Sequence, residues 1–75
     1  MTRSEYTSLV PGDIVESELG SLWVVLDWIS AGLSTEHLIC RLECIIVGQF
    51  DGGLREGSRG HLFIDSYTVS RMKKI

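Results

Sequence analysis

The chain has 75 residues, 44% of them hydrophobic and 23% charged, with one proline and eight glycines. That is room for a single domain spanning residues 1–75 with a modest core, and it excludes a disordered chain or a substrate domain beside a structural one. The formal net charge is −3, which works against non-specific binding to phosphate backbones.

In chain order, the N-terminus Met1-Thr2-Arg3-Ser4-Glu5-Tyr6 is polar and reads as no targeting signal. No apolar run approaches the roughly 20 residues of a membrane helix, so a cytoplasmic protein without a membrane partner is expected. Val10-Pro11-Gly12-Asp13 is a turn signal that opens a short strand over Asp13–Ser17. After a second turn at Glu18-Leu19-Gly20-Ser21 comes the strongest β segment, Leu22–Ile29, dense in aromatic and β-branched residues. Regular alternation places Leu22, Val24, Leu26 and Trp28 on one face and Trp23, Val25 and Asp27 on the other. Ser30 to His37 reads as a loop or as a single helical turn capped by Ser34 or Thr35.

Leu38–Val47 is a second strong strand, with Leu42, Cys44 and Ile46 on one face and Arg41, Glu43, Ile45 and Val47 on the other. Gly48–Gly60 holds five of the eight glycines and reads as a loop. His61–Asp65 is a third clear strand, and Tyr67-Thr68-Val69 begins a last short strand or a helical turn. The expected fold is mostly β, with five short strands and room for one short helical turn. A flat open sheet would leave one apolar face of the long strands uncovered, so closure into a small barrel is expected.

Pro11-Gly12-Asp13-Ile14-Val15, the turn and then Leu22-Trp23-Val24-Val25 resemble the opening of SH3-like small barrels, a group that includes KOW and Tudor domains. Gly60-His61-Leu62-Phe63-Ile64-Asp65-Ser66-Tyr67-Thr68-Val69 resembles the end of that fold, where a strand passes through a tight turn into a short last strand. The resemblance covers residues 10–72 and implies a five-stranded SH3-like barrel. It stays at the level of the fold, because the acidic, aromatic and proline pattern of a peptide-binding SH3 domain is missing.

His37, Cys40, Cys44 and His61 are zinc-type ligands. On one extended strand, however, Cys40 and Cys44 stand about 13 Å apart, too far to share an ion or a disulfide. They read as buried free thiols in a reducing compartment, and no metal or cofactor is expected. A triad of Cys44, His61 and an aspartate would need Cys44 in an exposed, electropositive setting, whereas its neighbours are Leu42, Ile45 and Ile46. The serines lack a nucleophile-elbow context, and the glycine-rich loop lacks the Lys-Ser/Thr of a P-loop. The expectation is a protein without catalytic residues.

Charge is uneven. Residues 1–51 carry eight acids against Arg3 and Arg41, and residues 52–75 carry Glu56 and Asp65 against Arg55, Arg59, Arg71, Lys73 and Lys74. The two regions either pair across the fold or leave a basic contact surface. Trp23 and Trp28, five apart on one strand, are expected on opposite faces, so that one reaches the surface as an interface anchor.

Small stand-alone domains often act by adhering to something larger, and many are encoded by bacteriophages. The expected function is therefore a non-enzymatic protein-binding module, an occluding or scaffolding inhibitor or regulator of a larger machine. Arg55, Arg59, His61, Trp23, Trp28 and Arg71 are its candidate contacts, and homo-oligomers through an exposed strand edge are a further option. The alternative is a nucleic-acid or ribonucleoprotein contact through Arg55, Arg59, Arg71, Lys73 and Lys74.

Overall fold

A computed structural model of the chain describes residues 1–30, 38–63 and 67–75, with the side chains of Ser30, Leu38, Tyr67 and Thr68 outside the description. The stretch 31–37, where a loop or capped turn was open, and the expected strand end at Ile64-Asp65 lie outside the described residues. The elements run α1 (Arg3–Thr7), β1 (Ile14–Glu16), β2 (Leu22–Ser30), β3 (Leu38–Ile46), β4 (Arg59–Phe63), α2 (Tyr67–Arg71) and β5 (Lys73–Lys74). The five strands form one antiparallel sheet in the order β4-β3-β2-β1-β5. The fold is mostly β as expected, with two short helices rather than one helical turn; among the described residues the sheet's hydrogen bonding ends at β4 and β5, without the expected closure into a barrel.

α1 is a short helix at the polar N-terminus. Glu5 N–H donates to Thr2 Oγ1 at 3.1 Å and Thr2 N–H donates to Glu5 Oε1 at 3.0 Å. This reciprocal box satisfies donors that a helix of one turn cannot pair internally. The helix turns Tyr6 into the core, where its hydroxyl donates to Leu62 O at 2.6 Å. Leu9 follows, also buried. The amino group of Met1 donates to Val69 O at 3.0 Å, joining the start of the chain to α2.

The core lies on one face of the sheet. Tyr6, Leu9, Val15, Val25, Cys40, Leu42, Leu62, Val69 and Met72 form it, with Met1, Trp23 and Trp28 packed against it. The expectation that the two tryptophans face opposite ways is corrected here. Val25 pairs with Leu42 and Asp27 with Arg41, so two steps along β2 match one along β3. Leu26 is the extra residue of a β-bulge, and the bulge resets the alternation. Trp23 therefore lies opposite Cys44, Val25 opposite Leu42 and Trp28 opposite Cys40, all on the core face. A second irregularity, between Leu22/Trp23, pairs Leu22 with Ile46. It skips Ile45 and separates Ile46 from the face of Leu42 and Cys44, leaving Ile46 51% exposed.

The expected Gly48–Gly60 loop ends two residues early, because Arg59 and Gly60 already pair with Glu43 and Leu42. Gly57 has φ +83°. Its N–H donates to Cys44 O, and Cys44 N–H donates to Ser58 O, both at 2.8 Å. This is the bonding of a bulge that needs glycine in the left-handed region. Of the two options left open at Tyr67-Thr68-Val69, the helical turn is the one taken, and the last strand comes later. Tyr67–Arg71 is helical, and Lys73–Lys74 then pairs with β1.

Candidate functional site

The site is built where the β1–β2 turn meets the segment after β3. Ser17 N–H donates to Ser21 O and Gly20 N–H to Ser17 O, both at 2.9 Å. Gly20 takes φ +86° to close the turn. Ser21 is fully buried, and its hydroxyl joins the two segments. It donates to Asp51 Oδ2 at 2.6 Å and accepts from Gly48 N–H at 2.8 Å. The approach is so close that a Cβ on Gly48 would stand 2.2 Å from Leu19 O.

Beside this junction opens a pocket of about 250 Å³, lined by Ser17, Glu18, Leu19, Trp23, Asp51, Arg71 and Met72. Trp23 reaches it from the core face of β2, and Leu19 stands on the turn, 43% exposed. Met72, buried at the end of α2, closes the far wall. Arg71 Nη1 donates to both carboxylate oxygens of Glu18, at 3.0 and 2.9 Å. The result is an apolar floor of indole, leucine and methionine under a rim of two carboxylates and one guanidinium. At this size the pocket lies below the range of about 300–1,000 Å³ typical of small-molecule sites. It suits a single apolar side chain, with a cation beside it to meet Glu18 and Asp51.

The candidate contacts read from the sequence separate into four places. Trp23 and Arg71 meet in the pocket. Trp28 lies farther along the core face, where its Nε1–H donates to Leu9 O at 2.9 Å and its ring meets Tyr6 edge-on at 5.1 Å. Arg55 is exposed in the β3–β4 connection. Arg59 and His61 stand on the opposite face of the sheet, across from Glu43 and Arg41. On that face Arg41 also pairs with Asp27, and its guanidinium holds the Asp27 carboxyl below the ordinary aspartate range. Ser17, Glu18, Leu19, Asp51 and Met72 carried no site signal in the sequence, since each joins the pocket only through a tertiary approach.

Two cations of the basic C-terminal region, Arg71 and Lys74, meet carboxylates within the fold. Besides the Arg71–Glu18 pair, Lys74 lies 3.8 Å from Asp13 and Lys73 stands opposite Glu16 in the ladder. Cys40 and Cys44 are buried free thiols on one strand. Burial pushes the Cys40 thiol up to about 11, and burial also raises Cys44, helped by the Asp51 carboxylate. His61 is on the other face of the sheet from both, so the three cannot converge on a metal or a catalytic step. His37 lies outside the described residues. Among the described residues, no group of three or more His, Cys, Asp or Glu side chains could hold a metal ion, and no helix is long and apolar enough to cross a membrane. Compared with known proteins, the chain matches no family model, no curated protein and no solved structure.

Proposed function

We propose that this chain is a non-enzymatic protein-binding module that grips a larger partner through the pocket over Trp23. The observation that carries the reading is the half-buried indole at the base of an apolar pocket sized for one side chain. Tryptophan in such a setting is a frequent anchor of binding energy. The walls are held in place before any partner arrives, by the Ser21 hydroxyl on one side and the Arg71–Glu18 pair on the other. A preorganised pocket loses less entropy on binding. An occluding or scaffolding role on a larger machine, such as a bacteriophage-encoded inhibitor, fits a single small domain of this kind. The return of the last strand to the first through a helical turn supports the SH3-like reading of the fold.

The alternative, a nucleic-acid contact through the basic C-terminal residues, is weakened by the acidic partners of Arg71 and Lys74. The test starts from a partner identified by pull-down and mass spectrometry and compares affinities by titration. Leu19→Glu places a carboxylate in the apolar lining of the pocket at an exposed turn position. It should weaken binding at least tenfold, about 1.4 kcal/mol, with an unchanged melting temperature. Unchanged affinity would retire the pocket, and a matching loss in Arg55→Ala/Arg59→Ala would move the site to the β3–β4 connection. Binding to DNA or RNA with a steep salt slope would favour the alternative.

A further inference from the structure

The two edges of the sheet differ in how they are protected. β5 is two residues long and both are lysines, a short charged edge that resists pairing. β4 is five residues long, Arg59-Gly60-His61-Leu62-Phe63, with no proline and no register shift against β3. Its bonding direction follows from the bulge at Gly57. Cys44 N–H donates to Ser58 O, so Ser58, Gly60 and Leu62 turn their backbone groups toward β3. The alternation leaves the N–H and C=O of Arg59, His61 and Phe63 aimed at the free edge. Among the described residues no backbone or side-chain group meets them. All three side chains are exposed, Phe63 by 56%.

We propose that β4 pairs antiparallel with β4 of a second copy of this chain, about a two-fold axis through His61. The occupant follows from self-complementarity. In this register Arg59 faces Phe63 of the second copy and Phe63 faces its Arg59. Every outward N–H and C=O of the strand then finds a partner. Each guanidinium lies beside an exposed phenyl ring, a favourable cation–π pair. Centring on Arg59 instead sets two guanidinium groups against each other, and any register displaced from His61 leaves outward backbone groups unpaired. The pairing is isologous and closes on itself as a dimer. It joins the two five-stranded sheets into one and does not use the pocket over Trp23. Strand-edge contact alone is small, so the dimer is weak and concentration-dependent.

Sedimentation of the full chain over a hundredfold concentration range should show a monomer–dimer equilibrium. His61→Pro is the direct probe. Its lost N–H points away from β3, and proline is tolerated at such edge positions. It should sediment as a monomer throughout, with a melting temperature near that of the wild type measured at low concentration. His61→Lys, which places two ammonium groups at the axis, should also be monomeric and serves if the proline variant fails to fold.

Cysteine substitutions fix the register. His61→Cys places two thiols about 5.5 Å apart between Cα atoms, within disulfide reach. It should form a covalent dimer under copper(II)-catalysed air oxidation. Arg59→Cys places its two thiols more than about 13 Å apart and should stay uncrosslinked. A wild-type chain that remains monomeric across the range overturns the proposal. So does equal crosslinking of the two cysteine variants, or dimerisation that survives His61→Pro and His61→Lys. Affinity for a partner at the pocket over Trp23 is unaffected by these variants, so the two readings fail separately.

Discussion

Gly48→Ala tests the junction that shapes the pocket. The added Cβ would lie 2.2 Å from Leu19 O, 2.6 Å from Gly20 C and 2.6 Å from Ser21 N, where ordinary contact begins at 3.4 Å. All three neighbours are backbone atoms of a hydrogen-bonded turn, so no side-chain rotation relieves the clash. The turn and the segment after β3 must separate by roughly 1 Å. That stretches the 2.8 Å bond from Gly48 N–H to Ser21 Oγ beyond hydrogen-bonding range and strains the Ser21–Asp51 bond behind it. Overpacking against fixed atoms costs about 1–3 kcal/mol, and leaving a buried polar group unsatisfied costs about 1–3 kcal/mol more. The expected destabilisation is about 3 kcal/mol, a fall in melting temperature of roughly 12–24 °C for a domain of this size. Gly52→Ala is the control, since a Cβ there meets nothing within 4 Å. Its removal of unfolded-chain entropy predicts no loss and up to about 1 kcal/mol of gain. Thermal and urea melts of both variants decide the matter. A Gly48→Ala protein within about 1 kcal/mol of wild type would refute the account of the junction.

Three further outcomes are expected. Tyr6→Phe keeps the edge-on contact with Trp28 but loses the hydroxyl bond to Leu62 O, and a urea titration should register a loss of about 1 kcal/mol. Cys40 and Cys44 should resist a thiol reagent in the native protein and react fully after denaturation without reductant. Because burial raises the Cys40 thiol from 9.0 to about 11, its contribution to stability is complete below the unfolded value and fades as pH climbs toward the folded one; an intramolecular disulfide in fresh native protein would contradict the strand placement. Arg41 holds Asp27 charged below its ordinary value of 3.8, so that contribution is complete above this value and is lost as pH falls through the lower folded one. Asp27→Asn should flatten the acid side of a melting-temperature profile, and an unchanged acid side would remove the pair from the account of acid stability.

Local chemistry in the sequence determined a good deal of this protein. The β-branched and aromatic runs of Leu22–Ile29 and Leu38–Val47 specified the two long strands, and Pro11-Gly12 and Leu19-Gly20 specified the turns that bound β1. Two cysteines four apart on a strand excluded a bridge before any fold was known. No helix was expected at the N-terminus, because five residues are too few to show helical periodicity, although Thr2-Arg3-Ser4-Glu5 carries the capping-box spacing.

Tertiary structure decided where those elements act. A bulge counts residues on one strand against its neighbour, so nothing within Leu22–Ser30 alone reveals that Leu26 is the extra one. Yet that residue sets Trp28 on the same face as Trp23. Arg71 and Lys74 find Glu18 and Asp13 only because the end of the chain returns to β1 and its turn. The pocket joins residues from Ser17 to Met72, and the distant approach of Gly48 to Leu19 holds its wall. Short-range propensity acts over a few residues and can be read from one chain segment, whereas registers, ion pairs and pockets depend on which segments meet.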